Sequence, residues 1–168
     1  MAKLFFALKP TAKIREQIRQ QRSNFAIAGQ LVPDANIHLT VLYLGKISIN
    51  QQQDILRCAA LLKQPSFDLE LDILSHFKHN NITWMGTKQT PIEILSLHQQ
   101  LFDCGASLNI ALENRHFKPH ITLARKSQLQ QRIEFSPIPW RVESFVLFES
   151  KQQRDGVYYQ LVKEFELF

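Results

Sequence analysis

The amino-acid sequence predicts an α+β fold of two pseudo-symmetric lobes of antiparallel sheet, with helices outside and a central cleft carrying two His-x-Thr strands. Three observations predict it. The first is a pattern written twice, Ile37-His38-Leu39-Thr40-Val41-Leu42 and Pro119-His120-Ile121-Thr122-Leu123-Ala124, each reading His, apolar, Thr, apolar. Strand alternation would place His38 with Thr40, and His120 with Thr122, on one face and the apolar residues on the other. The second is spacing: the copies lie about half a chain apart, as expected if related lobes each lend one strand to a shared cleft. The third is the lack of a Pro/Gly/Ser-rich linker, so residues 1–168 should form a single bilobal domain. One such pattern is ordinary, but two by accident are expected in roughly one chain in a thousand.

Taken in order, Leu4-Phe5-Phe6-Ala7-Leu8 is a short apolar run closed by Pro10 and suits a buried strand. A helix follows, capped by Thr11, with Ile14, Ile18 and Phe25 on its inner face and Gly29 as its stop. The first His-Thr strand runs on to Gly45, and Asn50 opens a helix faced by Ile55, Leu56, Ala59 and Leu62. Phe67, Leu69, Leu71 and Ile73 then alternate with Asp68, Glu70 and Asp72, a half-buried strand, and Asn80-Asn81 turns it into a partner at Ile82 to Met85. Thr90-Pro91 signals a third helix, with His98 expected at its surface or boundary. After the second His-Thr strand, which Pro119 should open, two long strands at about Trp140 to Ser150 and Val157 to Leu167 close the chain as a hairpin around Asp155-Gly156. The expected order is β-α-β-α-β-β-α-β-β-β.

With 168 residues, 45% of them hydrophobic, the chain can bury a core, and it has neither an apolar run long enough to span a membrane nor a signal peptide, so a cytoplasmic location is expected. Cys58 and Cys104 stand alone in helical patterns and are expected as reduced, buried thiols. The net charge of +5 favours an anionic partner. Its distribution says more: Arg115, Lys118, Arg125, Lys126 and Arg132 fall in a window without a carboxylate that encloses the second motif, so an anion should lean towards His120.

Two imidazoles of ordinary pKa about 6.5, facing each other across a cleft, can hold opposite protonation states near neutral pH. One can activate a nucleophile at phosphorus while the other protonates the leaving oxygen. Thr40 and Thr122 can donate to non-bridging oxygens, and Arg125, at the end of the second strand, can neutralise the charge that gathers there. The scheme needs no metal or other cofactor, and none is signalled, since His76 and His79 have no carboxylate or cysteine at ligand spacing. Scattered single glycines give no phosphate loop, and no supported Ser-His-Asp or Cys-His arrangement is present.

The paired motifs resemble those of the 2H phosphoesterase superfamily. Leu4-Phe5-Phe6-Ala7-Leu8, Asn36-Ile37-His38-Leu39-Thr40 with Tyr43-Leu44-Gly45, Phe117-Lys118-Pro119-His120-Ile121-Thr122-Leu123-Ala124-Arg125 and Leu147-Phe148-Glu149-Ser150 together resemble its bacterial RNA 2′,3′-cyclic phosphodiesterase branch, also called 2′-5′ RNA ligase. The similarity spans nearly the whole chain and is weakest from Ser75 to Thr90. It implies metal-independent hydrolysis of a terminal 2′,3′-cyclic phosphate on RNA or a nucleotide to a 2′-phosphate, with His120 as proton acceptor and His38 as proton donor. Thr40, Thr122 and Arg125 would hold the phosphate, and Phe6, Tyr43 or Phe148 would stack on the terminal base. The same acid-base pair could instead serve 2′-5′ ligation or cleavage of 2′-5′ oligonucleotides, and a cleft that only binds RNA ends is the reading without chemistry. The chain is expected to act as a monomer.

Overall fold

A computed structural model describes all 168 residues. Nine strands and three helices run in the order β1 (Ala2–Leu8), α1 (Ala12–Asn24), β2 (Gln30–Leu31), β3 (Leu39–Ile47), α2 (Ile49–Ala60), β4 (Phe67–Phe77), β5 (Ile82–Gly86), α3 (Ile92–Ser107), β6 (Ile121–Arg125), β7 (Ile133–Val142), β8 (Ser144–Gln153) and β9 (Gly156–Glu166), with a 3₁₀ turn at Asp34–Asn36. The strands follow one antiparallel path, β7-β4-β5-β6-β3-β1-β8-β9, and β2 adds to β6. Both motif strands sit at the centre of that path. Each is joined to its outer neighbour by a helix, β1-α1-β3 in one half and β5-α3-β6 in the other, which is the predicted pseudo-symmetry. Between β3 and β6 the ladder is reduced to one pair, Leu39 with Ile121, and β2 adds two more across the halves, Gln30 with Arg125 and Leu31 with Ala124.

Strand alternation decides what faces what. In β1, Leu4, Phe6 and Leu8 are fully buried in the main core under the helices, while Phe5 and Ala7 face the other way and join Val146 and Phe148 in a small second cluster. This is why β1 reads as a continuous apolar run rather than an alternating one.

Bulges then redirect the central strands. Between β1 and β3, Phe6 pairs with Leu42 but Ala7 with Thr40, so Val41 is an extra residue and Tyr43 returns to the face of Thr40. Between β5 and β6, Trp84 pairs with Thr122 but Thr83 with Ala124, so Leu123 is extra and Arg125 returns to the face of Thr122. Each of these two bulges comes one residue after the motif threonine; β3 carries another at Leu44, between the pairs Phe5 with Tyr43 and Leu4 with Gly45.

Several expectations need correction. The helix from Thr11 ends at Asn24, well before Gly29; the Thr11 hydroxyl does cap it, accepting from the Ile14 amide at 3.3 Å. Gly29, at φ +106°, matters for close approach instead. A Cβ there would lie 2.6 Å from the carbonyl oxygens of Arg125 and Lys126, so only glycine lets the chain reach the end of β6. The second helix opens at Ser48 rather than Asn50, through a reciprocal pair of bonds with Gln51. Thr90 does not cap α3, because Pro91 occupies the cap position.

The expected single strand from Trp140 to Ser150 is two strands that part at Glu143, β7 pairing with β4 in one half and β8 with β1 in the other. Hydrophobic alternation does not reveal that the chain changes partners. Pro137 and Pro139 fit because β7 is an edge strand, and the hairpin of β8 and β9 forms as predicted. Cys58 and Cys104 are not free thiols; they form a disulfide with Cα atoms 6.0 Å apart. The residues are 46 positions apart, but α2 and α3 pack side by side and bring them together.

Candidate active site

His38 and His120 immediately precede β3 and β6. The same device orients both rings. Nδ1 of His38 lies 2.7 Å from the Asn36 carbonyl oxygen, and Nδ1 of His120 lies 2.7 Å from that of Lys118, each two residues upstream. A carbonyl can only accept, so each Nδ1 carries the proton and each neutral ring keeps its lone pair on Nε2. Thr40 Oγ lies 2.9 Å from Nε2 of His38 and donates to it when the ring is neutral. Asn36 is itself held, its side-chain amide donating to the Val157 carbonyl at 2.8 Å.

A cavity of about 350 Å³ brings His38, Thr40, Thr122 and Arg125 together with Lys3, Phe5, Asn36, Tyr43, Ser150 and Tyr159. His120 is not in its wall, but a charge on its ring would lower the proton affinity of His38. The expected lean of an anion towards His120 therefore meets a different distribution of charge: Lys3 and Arg125 both reach the cavity on the His38 side. The basic window is also less free than it reads. Arg115 pairs with Glu113, and Arg132 lies 3.7 Å from Glu134, both partners coming from outside the window.

Burial pushes His38 down to about 4, against the Asn36 carbonyl, which favours the charged ring; His120 and Arg125 add to the lowering. His120 is lowered too, by burial first, with the Lys118 carbonyl opposing and the Lys118 charge assisting. Burial raises the Tyr159 hydroxyl, opposed by Arg125 and Lys3. In the ligand-free cleft at pH 7 His38 is neutral.

Aromatic rings wedge both histidines. Phe5 and Tyr159 lie 5.1 and 5.0 Å from His38, centroid to centroid. Phe77 meets His120 edge-on at 5.0 Å and stacks on Trp84, whose ring also carries the Lys118 ammonium at 4.7 Å. Trp84 is 2% exposed and its indole N–H has no partner.

Of the three aromatic residues expected to stack on a base, only Tyr43 stands open on the cavity wall. Phe6 is one residue out of phase and fully buried in the main core, so it cannot touch a ligand. Phe148 is on the cleft face but packed beneath Phe5 and Tyr159, where it supports the wall. Phe5, Tyr159, Lys3 and Trp84 were missed, and Lys118 was read only as part of the basic window. Phe5 and Lys3 share a face of β1, but a strand buried on both faces does not show in its sequence which face meets the cleft; Tyr159 arrives only through the pairing of β9 with β8. His98 is more than a boundary residue: its Nδ1–H donates to the Val41 carbonyl at 2.7 Å and its ring stacks on Phe117 at 4.2 Å.

A sheet of this order with paired His-x-Thr motifs at its centre is the arrangement expected from the resemblance to the 2H phosphoesterase superfamily. Comparison with known proteins is specific: the chain belongs to the 2′-5′ RNA ligase superfamily, whose family model matches residues 9–154. It is 32% identical to an RNA 2′,3′-cyclic phosphodiesterase of Escherichia coli, over 98% of this chain and 96% of that protein. It is 24% identical to a protein of the same name from Thermotoga maritima, over 90% of each. Among solved structures, E. coli LigT in complex with 3′-AMP superposes with a TM-score of 0.89 at 31% identity, covering 99% of this chain and 98% of that one.

Proposed function

We propose that this protein is an RNA 2′,3′-cyclic phosphodiesterase that opens a terminal cyclic phosphate to a 2′-phosphate by general acid-base catalysis. One observation carries the reading. Two histidines, each fixed by the carbonyl two residues upstream, stand at the heads of the two central strands; His38 lines one cavity with both threonine hydroxyls and the guanidinium, and His120 is near enough for its charge to act on His38. The full-length similarity to RNA 2′,3′-cyclic phosphodiesterases supports the same substrate class.

His120 Nε2 takes a proton from water as the oxygen attacks phosphorus, and the bond from phosphorus to the 3′ oxygen breaks. Protonated His38 gives its Nε2 proton to that oxygen, leaving a 3′-hydroxyl and a 2′-phosphate. Each proton transfer is worth about 10²–10⁴ in rate. Thr40, Thr122 and Arg125 hold the non-bridging oxygens, while Tyr43 and Phe5 offer apolar surface to the nucleoside. The low proton affinity of His38 in the empty cleft makes substrate part of the acid: the phosphate anion beside the ring offsets the burial that otherwise keeps it neutral. The protein is taken to work as a monomer.

Chromatography of the products from a panel of 2′,3′-cyclic nucleotides and 2′-5′-linked dinucleotides, with a chelator present, tests class and regiochemistry together. A 2′-phosphate product from the cyclic substrates is expected, with His38→Ala and His120→Ala each losing at least about 10²-fold in kcat. Near wild-type turnover in either variant would overturn the two-histidine mechanism. Cleavage confined to the 2′-5′ linkage would move the substrate class.

A further inference from the structure

The bulge that follows each motif threonine ends on a carbonyl gripped by a side chain from the opposite half of the molecule. In β3 the extra residue is Val41, and its carbonyl accepts from Nδ1–H of His98 at 2.7 Å. His98 belongs to α3, the helix of the β5-α3-β6 half. In β6 the extra residue is Leu123, and its carbonyl accepts from the Val32 amide at 2.9 Å and from the Arg22 guanidinium at 3.4 Å. Arg22 belongs to α1, the helix of the β1-α1-β3 half. The bracing is reciprocal.

We infer that Arg22 and His98 are positioning residues for the reaction, holding the bulged carbonyls of Leu123 and Val41 so that the two motif strands keep their relative placement across the cleft. The inference rests on the reading of the cleft as the phosphodiesterase site, and the geometry around each residue supports it.

The Arg22 side chain is only 7% exposed, and a buried guanidinium is costly unless its donors are met. They are met by the segment that carries the first motif: the Val32 carbonyl at 2.7 Å and the Asp34 carboxylate at 2.7 Å, besides Leu123. Asp34 opens the 3₁₀ turn that ends at Asn36, the residue whose carbonyl fixes the proton on Nδ1 of His38. One planar group thus spans from the strand of Thr122 and Arg125 to the turn that orients His38. His98 does the matching job on the other side. Besides holding Val41, it stacks within 6° of parallel on Phe117, which directly precedes Lys118, the residue whose carbonyl orients His120.

Such bracing matters because the central strands β3 and β6 share a single ladder pair, Leu39 with Ile121, supplemented only by the two-residue β2 on the far end of β6. It also explains the bulges. Without the extra residues, strict alternation would turn Tyr43 and Arg125 away from the face of their threonines. The grip on the bulged carbonyl is what keeps the strand from relaxing to regular pairing.

The test compares variants that differ in the donor alone. His98→Phe keeps a ring to stack on Phe117 and removes the donor, whereas His98→Asn removes the ring and places a side-chain amide near the position of Nδ1. On 2′,3′-cyclic AMP we expect His98→Phe to lose about 10- to 100-fold in kcat with KM within about threefold, and His98→Asn to stay within about threefold of wild type in kcat. For Arg22, Arg22→Lys should be intermediate and Arg22→Gln should lose about as much as His98→Phe. Imidazole ¹⁵N spectra of the free proteins supply a readout apart from turnover. Arg22→Gln should mix the Nδ1–H and Nε2–H forms of His38, and His98→Phe should shift the amide resonances of Thr40 and Leu42. Circular dichroism and melting curves establish that each variant is folded.

Folded His98→Phe and Arg22→Gln proteins with unchanged kcat and unchanged His38 spectra would overturn the inference, as would His98→Asn as impaired as His98→Phe. If wild type itself fails to open the cyclic phosphate, the proposed function falls instead. The ¹⁵N and amide spectra of the free proteins would still decide whether the two side chains hold the motif strands.

Discussion

Lowering the pH from 7 to 4 should cost the protein about 3 kcal/mol of stability through His38 alone. Burial takes its pKa from an ordinary 6.5 to about 4 in the folded chain, and each unit is worth about 1.4 kcal/mol. The unfolded chain begins to bind a proton at His38 as the pH falls through 6.5, whereas the folded chain does not until about 4. In that window the unfolded state binds more protons, so stability is fully present above 6.5 and is lost progressively as the pH drops. The perturbation that isolates the effect is His38→Gln, which keeps a polar side chain and removes the titration. Urea unfolding would be followed at pH 7, 6, 5 and 4 for both proteins. At about 1–3 kcal/mol per molar urea, the wild-type midpoint should fall by about 1–3 M more than that of His38→Gln. Phosphate or a 3′-nucleotide should narrow the gap, because an anion beside the ring favours the charged form. Parallel pH profiles for the two proteins would refute the account of His38 as a ring kept neutral by burial, and with it the claim that substrate supplies the acid.

Other outcomes follow from particular contacts. Reducing the Cys58–Cys104 disulfide opens a loop of 46 residues and should lower stability by about 2–4 kcal/mol, read as a drop in melting temperature of roughly 5–15 °C. Alkylation of protein isolated without reductant should label neither cysteine; two labelled thiols would return the pair to the reduced state expected from the sequence. Phe6→Ala should destabilise by about 3–5 kcal/mol and leave KM for a cyclic nucleotide unchanged at temperatures where it is folded, while Tyr43→Ala should raise KM with little effect on melting. Arg125→Gln should reduce kcat/KM by about 10²-fold or more, and a variant with wild-type kcat/KM would remove Arg125 from phosphate binding.

What could be read before folding was mainly what strand alternation controls. The His-Thr pairs, the helix stripes and the terminal hairpin depend on neighbours along the chain, so they were legible. Arg125 was named from its place at the end of the second motif strand, and it does line the cavity. Phe6 was mistaken for a ligand contact because a strand buried on both faces shows no alternation, and nothing local tells Phe5 from Phe6. Tyr159, Arg22 and His98 were passed over for a different reason: their partners lie in remote segments, and only the assembled sheet brings Val32, Leu123 and Val41 to them. The change of sheet partner at Glu143 was hidden for the same reason, as was the meeting of Cys58 with Cys104.

That change of partner bears on how the molecule is assembled in time. The ladders of β4, β5, β6 and β7 join segments from one contiguous stretch, residues 67–142, and need no chain made later. The first half is different: β1 pairs with β8, Leu4 meeting Glu149, and Tyr159 reaches the cleft from β9. Contacts of such long range form slowly, because the intervening chain must be closed into a loop first. During synthesis the half that carries His120 can therefore settle while the half that carries His38 still lacks two of its strands. The proposed acid-base pair would come into being only with the final hairpin, so a chain released before β9 is made would hold both histidines and lack the Tyr159 wall of the cleft.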